Sequence, residues 1–170
     1  FLSPHGIRSL SKRHEAEPFR TEIDGATYEV AYQPAESHSG MFGGNSNWRG
    51  PVWMPMNYIL IDALRTYQAR YGDGLRVECP TGSGRFCTLG EVADEISRRL
   101  IALFERGDDG RRPVFGGTDH LMQALGWADD ILFYEYFHGD NGAGIGAAHQ
   151  TGWTGLVAVL VEEQERARAA

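Results

Sequence analysis

Cysteine, long apolar runs and basic charge are all scarce in this sequence. Two cysteines, Cys79 and Cys87, are too few for a disulfide framework, and their spacing fits no cysteine-rich metal site. We expect two reduced thiols, as in a cytoplasmic protein, with one local disulfide as the alternative. No apolar run approaches the roughly 18 residues that span a bilayer, so no membrane-spanning helix is expected.

The charge balance argues against nucleic acid as a partner. The chain carries 16 basic and 23 acidic residues, which gives a net charge of −7. Binding to nucleic acid depends on neutralising phosphates with a basic patch, and the sequence has no such stripe. We therefore expect neither a nucleic-acid partner nor a membrane partner.

What the chain contains is typical of a globular domain. Of its 170 residues, 42% are hydrophobic and 23% are charged, close to the average of folded proteins. Its 22 glycines cluster in segments that also carry Trp, Asn and His, which indicates shaped loops rather than flexible linkers. The chain begins with Phe1 rather than Met, and its early basic residues do not resemble a signal peptide. We expect a region cut from a longer, cytoplasmic polypeptide.

Hydrophobic spacing predicts three long helices and one β-hairpin. The hairpin spans residues 19–32, because two alternating runs flank Asp24-Gly25, a pair suited to a type I′ turn. A capping box formed by Thr88 and Glu91 starts the second helix. The apolar segment Ile131–Phe137 fits either a strand or a buried helical turn. The helices are expected at about 51–71, 88–107 and 151–166, with a short one near 119–125.

The loop that precedes the first long helix has the composition of a sugar site. Residues 43–53 read Gly-Gly-Asn-Ser-Asn-Trp-Arg-Gly-Pro-Val-Trp and so combine two indoles, a guanidinium and amides. Aromatic faces pack on the C–H face of a pyranose, while amides and guanidinium groups bind its hydroxyls. The alternative is a tryptophan-rich helix entry that packs into the core. The candidate sugar ligands in this segment are Asn47, Trp48, Arg49 and Trp53.

A second segment, residues 135–146, places carboxylates and an imidazole beside a glycine-rich backbone. Glu135, His138 and Asp140 lie within six positions, and acid–base catalysis needs such carboxylates in a shaped pocket. A metal held by His138, Asp140 and His149 is a weaker alternative, because the spacing matches no zinc pattern. The glycines do not complete a phosphate-binding motif. The structural alternative for this segment is a self-capped turn.

A third segment places polar groups at the start of the last helix. Residues 148–154 read Ala-His-Gln-Thr-Gly-Trp-Thr, and free backbone N–H groups gather at such a helix start. A threonine of this segment is expected to cap the helix in any interpretation. The candidate sugar ligands here are His149, Gln150 and Trp153.

Four strings together resemble glycoside hydrolase family 63, which contains processing α-glucosidases and mannosylglycerate hydrolases. The strings are Gly43–Trp53, Glu78–Arg85 (ECPTGSGR), Arg111–Gly117 (RRPVFGG) and Tyr134–Thr154 (YEYFHGDNGAGIGAAHQTGWT). The resemblance covers most of the chain and implies a mainly α fold, a partial (α/α)6 toroid of paired helices with long functional loops. It implies that residues 1–170 form the C-terminal portion of a catalytic domain that is incomplete on its own.

The resemblance also implies a reaction, which is hydrolysis of an α-glycosidic bond with inversion, and it implies neither cofactor nor metal. Inversion needs a general acid and a general base on opposite sides of the bond, about 6.5–9.5 Å apart. The family's base is a glutamate in a late aromatic loop, and this position is Glu135 here. The family's general acid is an upstream aspartate, and no segment of this chain matches its surroundings.

Two classes of function remain open at this stage. In the first, the chain supplies the base and part of the sugar pocket of an α-glucosidase-like enzyme that acts on an oligosaccharide or small glycoside. Its partner is then the rest of the same polypeptide, and the isolated chain should be inactive and prone to self-association through exposed apolar surface. In the second, the chain is a noncatalytic carbohydrate-binding or structural helical module. Glu36 and Glu78 are interpreted as solvated loop carboxylates.

Overall fold

The computed structural model describes residues 1–40 and 47–169. Residues 41–46, which include the first part of the predicted sugar loop, lie outside the described residues. The described chain is mainly helical, as predicted, with four small antiparallel sheets of two strands each. The helices are α1 (Arg13–Ala16), α2 (Met54–Tyr71), α3 (Leu89–Ile101), α4 (Asp119–Ala124), α5 (Thr151–Thr154) and α6 (Val157–Ala169). The paired strands are β1 (Leu2–Ser3) with β2 (Gly6–Ile7), β3 (Phe19–Ile23) with β4 (Ala26–Val30), β5 (Arg76–Glu78) with β6 (Phe86–Thr88), and β7 (Tyr136–Phe137) with β8 (Gly144–Ile145).

The predicted hairpin is confirmed as β3 and β4. Both of its turn residues, Asp24 and Gly25, have positive φ values, 51° and 79°, as a type I′ turn requires. The prediction of a single hairpin is wrong, because the described part of the chain holds three further strand pairs. Their strands have only two or three residues, which is too short for an alternating pattern to be visible in a sequence.

Helix α3 confirms the capping box. The Thr88 hydroxyl accepts a hydrogen bond from the Glu91 N–H at 3.1 Å, and the Glu91 carboxylate accepts one from the Thr88 N–H at 2.6 Å. The helix ends at Ile101, and the chain reaches the predicted end at Gly107 through hydrogen-bonded turns. The last predicted helix is divided into α5 and α6 by two residues that begin with Gly155.

The hydrophobic core lies where α3 packs against α2 and α6. Ile61 of α2, Leu100 of α3 and Leu160 of α6 are each almost completely buried there. Val52 and Phe137 are fully buried in the same cluster and extend it to the loop before α2 and to strand β7. The core therefore anchors both of the segments that the sequence analysis singled out for chemistry.

Helix α2 is apolar on two faces. Its buried face carries Met54, Asn57 and Ile61. Four apolar side chains on the other face are open to solvent, with exposed fractions of 45% for Met56, 59% for Ile59, 42% for Leu60 and 54% for Tyr67. A contiguous group of exposed apolar side chains is typical of a surface that another element covers. Further helices packed on this face would continue a toroid of paired helices, and the toroid itself stays a prediction. None of the described helices is both long and apolar enough to cross a membrane.

We expect the isolated chain to self-associate through the outer face of α2, because burial of exposed apolar side chains is the main driving force of association. Changing Ile59→Glu and Leu60→Glu together should shift the chain to monomer in sedimentation velocity across a concentration series. Leu125→Glu is the matched control, since Leu125 is similarly exposed (48%) but lies outside α2. A wild-type chain that is monomeric at every concentration, or a control that dissociates equally well, would contradict this prediction.

Candidate active site

Val52 joins the tryptophan loop to strand β7. Its N–H and C=O exchange hydrogen bonds with the backbone of Phe137, both at 2.9 Å, and it forms a second bridge with Arg8 on its other side. The pairing brings Trp53, the residue after Val52, beside Tyr136, the residue before Phe137. Two segments more than 80 positions apart are thereby held at one place by backbone hydrogen bonds.

Three aromatic rings stack in a column at this place. The ring centroids of Trp48 and Trp53 are 4.0 Å apart with nearly parallel planes, and those of Trp53 and Tyr136 are 4.8 Å apart. Trp153 meets the column edge-on, 6.2 Å from Trp53. Trp53 is only 3% exposed and supports the other rings, whereas Trp48 is 38% exposed and offers surface on which a sugar face could pack.

Asn47 and Arg49 are buried and hold the segment from Gln33 to Ser39. The Asn47 amide donates to the carbonyl oxygens of Gln33 and Ala35, both at 2.6 Å. The Arg49 guanidinium donates to the Gln33 side chain at 3.0 Å, to Ser39 Oγ at 3.2 Å and to the Ser37 hydroxyl. Both side chains therefore fix a neighbouring loop in this structure, and their prediction as direct sugar ligands stays a prediction.

Glu135 is placed by the register of the β7–β8 pair. Because Tyr136 pairs with Ile145, the half-buried Glu135 lies opposite Gly146, and its Oε2 accepts a hydrogen bond from the Ala147 N–H at 3.4 Å. A Cβ at Gly146 would come within 2.7 Å of that Oε2, and the φ of Gly146 is +78°. Only glycine satisfies both conditions, so the glycine-rich stretch is what lets the backbone approach this carboxylate.

A groove of about 600 Å3 lies between the braced loop and strand β8. Its walls are residues 35–38 on one side and 144–146 on the other. Tyr136 is buried near it, and burial raises the pKa of its hydroxyl to about 12, with a further contribution from the negative charges of Glu36 and Glu135. Both carboxylates therefore lie close enough to this phenol to act on it electrostatically.

The start of α5 is attached to the residues that precede β7. The Gln150 N–H donates to the Phe133 carbonyl at 2.8 Å, His149 forms a bridge with Phe133, and the Thr154 hydroxyl donates to the Tyr134 carbonyl. These bonds bring Trp153 of α5 to the aromatic column. His149 is exposed and Gln150 is half-buried, and their roles as sugar ligands stay predictions.

Asp140 belongs to an ionic network with Arg8, Lys12 and Tyr32. It accepts hydrogen bonds from Arg8 and from the Tyr32 hydroxyl, both at 2.9 Å, and pairs with Lys12 at 3.0 Å. Burial favours its neutral form, but the bonds from Lys12, Tyr32 and Arg8 outweigh it and lower the pKa of Asp140. Asp140 is thus held as a carboxylate and fixes the turn that follows His138.

The histidines and cysteines do not assemble in one place. His138 Nδ1 accepts the Asp140 N–H at 3.1 Å, and no group of three or more His, Cys, Asp or Glu side chains within residues 1–40 and 47–169 is arranged to hold a metal. Cys79 and Cys87 are both buried and are not bonded to each other.

Comparison with known families gives this geometry a context. A family model described as the mannosylglycerate hydrolase MGH1-like glycoside hydrolase domain matches residues 1–154. The chain belongs to this glycoside hydrolase family. The resemblance read from the sequence motifs is therefore confirmed.

Curated relatives of this glycoside hydrolase domain are much longer proteins. An uncharacterized protein of Saccharomyces cerevisiae, YMR196W, is 49% identical over 166 residues, which cover 96% of this chain and 15% of that protein. Mannosyl-oligosaccharide glucosidase of the same yeast is 29% identical over 68% of this chain, and alpha-glucosidase 2 of Arabidopsis thaliana is 21% identical over 69%. The chain spans 11% of the length of each of these two proteins.

Two residues at or beside the groove are not among the predicted site residues. Tyr136 is buried next to Gly146 of the groove wall. Glu36 is exposed, as expected for a solvated loop carboxylate, and lines the groove. The available signal was that Glu36 follows the hairpin within the same long loop that carries Trp48 and Trp53. The pairing of Val52 with Phe137 attaches this loop to the strand that follows Glu135.

Proposed function

We propose that this chain forms part of an inverting, α-glucosidase-like glycoside hydrolase and supplies its general base and part of its sugar pocket. Glu135 is the base that removes a proton from the attacking water. The observation that supports the proposal is that the Glu135 carboxylate lies close to Gly146, a residue of the groove wall, and next in sequence to Tyr136 of the aromatic column. The printed names of two relatives, both glucosidases, favour an α-glucoside as substrate.

The general acid is proposed to lie outside this chain, in the remainder of a longer polypeptide that completes a helical toroid. An acid must hold a proton until the leaving group departs, so its pKa needs to be high. Asp140 has the opposite property, because its hydrogen bonds with Arg8, Lys12 and Tyr32 lower its pKa. The isolated chain is therefore expected to be inactive, and the complete protein is the enzyme.

The stereochemical course of hydrolysis tests this proposal. The full-length protein should hydrolyse p-nitrophenyl α-D-glucopyranoside, and proton NMR during the first minutes should show β-glucose as the product that forms first. Formation of α-glucose first would contradict inversion. Binding of glucose without hydrolysis of this glucoside, or of the corresponding p-nitrophenyl α-D-mannopyranoside, would instead favour a noncatalytic carbohydrate-binding module. Loss of hydrolysis with a chelator would favour a metal-dependent hydrolase.

A further inference from the structure

The loop from Gln33 to Ser39, part of which forms one wall of the groove, is held by many hydrogen bonds. Asn47 fixes two of its carbonyl oxygens and Arg49 fixes three of its side chains. The backbone adds two more bonds, from Gln33 N to the Arg49 carbonyl at 2.7 Å and from Gly139 N to the Pro34 carbonyl at 2.9 Å. These seven hydrogen bonds anchor the seven residues from Gln33 to Ser39.

Burying the Arg49 guanidinium costs free energy, and a contribution to the stability of the fold does not by itself explain that cost. Arg49 is 4% exposed, and among the described residues no carboxylate pairs with it. Burying a guanidinium without a counter-ion is unfavourable, even when neutral acceptors bind it. A free-energy cost of this kind is expected where a site needs one side chain in a fixed position. Glu36, an exposed carboxylate near the centre of this loop, lines the groove.

We infer that Glu36 is a second carboxylate of the sugar pocket, held opposite Glu135, where it accepts hydrogen bonds from the hydroxyls of an uncharged sugar ring. Asn47 and Arg49 are then positioning residues that act through the loop rather than by touching the sugar. The inference rests on the proposed function and names a substrate class for it. Carboxylates suit this role because each oxygen accepts hydroxyl hydrogens in a charge-assisted bond.

The charges around the groove define what it can accept. Glu36 and His38 are the titratable side chains among the lining residues, and Glu135 reaches the wall at Gly146. Arg49 lies behind the loop with its guanidinium bonded to Gln33, Ser37 and Ser39. Residues 41–46 read Met-Phe-Gly-Gly-Asn-Ser and add no ionisable side chain. The Glu36 carboxylate on the groove wall and the Glu135 carboxylate close to Gly146 disfavour an anionic sugar such as a uronic acid and favour a neutral or cationic ring.

The test compares Glu36→Gln with Glu135→Gln in the full-length protein. On p-nitrophenyl α-D-glucopyranoside, Glu36→Gln should raise KM about tenfold or more and change kcat by less than about threefold, as expected for loss of a charge-assisted hydrogen bond. Glu135→Gln should lower kcat and leave KM nearly unchanged. Glu22→Gln, an exposed carboxylate on strand β3, is the matched control and should change neither.

A comparison of a charged ligand with a neutral one distinguishes a binding role of Glu36 from a purely structural role. Calorimetric titration should show that Glu36→Gln weakens binding of a protonated, glucose-configured iminosugar more than binding of neutral glucose. Arg49→Lys should raise KM in parallel, and the double variant should be no worse than Glu36→Gln alone, because both changes act on one carboxylate. Equal loss for both ligands, or additive losses in the double variant, would contradict the inference.

The possible results distinguish the proposal that the protein is a glycosidase from the inference that Glu36 binds the sugar. Wild-type hydrolysis combined with an unchanged KM in Glu36→Gln overturns the role of Glu36 and leaves the glycosidase proposal standing. A collapse of kcat in Glu36→Gln, as large as that in Glu135→Gln, assigns Glu36 to the chemical step and also overturns the binding role. Absence of both hydrolysis and sugar binding in the wild type overturns the proposed function, and the inference falls with it.

Discussion

Changing Glu135→Gln in the full-length protein is expected to lower kcat by about 10³-fold. Glutamine preserves the size of the side chain and its acceptor for the Ala147 N–H, but it cannot take a proton from water. Positioned general bases contribute typically 10²–10⁴-fold to a rate. The effect should appear in kcat rather than in KM, because the lost interaction acts only in the transition state.

The pH dependence of kcat/KM tests the role of Glu135 independently. In the wild type, kcat/KM should rise with pH as the base loses its proton, and this acidic limb should be missing in Glu135→Gln. Glu105→Gln, an exposed carboxylate beyond α3, is a suitable control and should keep both the rate and the limb. Hydrolysis near the wild-type rate in Glu135→Gln, with weaker sugar binding, would show that Glu135 is a ligand and not the base.

Changing Trp53→Ala is expected to destabilise the chain by about 3–5 kcal/mol, the range measured for large aromatic residues truncated in cores. Trp53 is 3% exposed, contacts three aromatic rings and donates its indole N–H to the Asn47 carbonyl at 3.1 Å. Its removal leaves a cavity between Trp48 and Tyr136 and detaches the loop that starts at Asn47. Urea denaturation followed by far-UV circular dichroism measures the loss without relying on tryptophan fluorescence.

The chain offers its own control for this substitution. Trp127 is 53% exposed, so Trp127→Ala should change the free energy of unfolding by less than about 1 kcal/mol. Trp53→Phe should lie between the two, because it keeps part of the stacking area but loses the indole N–H. A loss for Trp53→Ala no larger than that for Trp127→Ala would mean that the aromatic column is not a packing element of this fold.

Local sequence signals predicted those features that depend on neighbouring residues. The turn at Asp24-Gly25 and the capping box at Thr88 are confirmed, because each requires a particular side chain or backbone freedom at a fixed spacing of a few residues. The helices α2 and α3 are confirmed for the same reason. The orientation of α2 was not predictable, since a helix with two apolar faces gives no local signal of which face its neighbours cover.

The candidate site also combines features that local sequence signals predict with features that only tertiary packing produces. By itself the sequence determined the family, through four strings of unusual composition, and it selected Glu135 as the candidate base. Only the tertiary structure decided that Arg49 braces a loop, that Trp53 is buried beneath Trp48, and that Glu36 lines a groove whose other wall includes Gly146, next to the Glu135 carboxylate. The contact of Trp53 with Tyr136 depends on backbone pairing between Val52 and Phe137, residues that are distant in the chain. No periodicity or short motif encodes such a contact, because it arises when α2 and strand β7 are packed on one core.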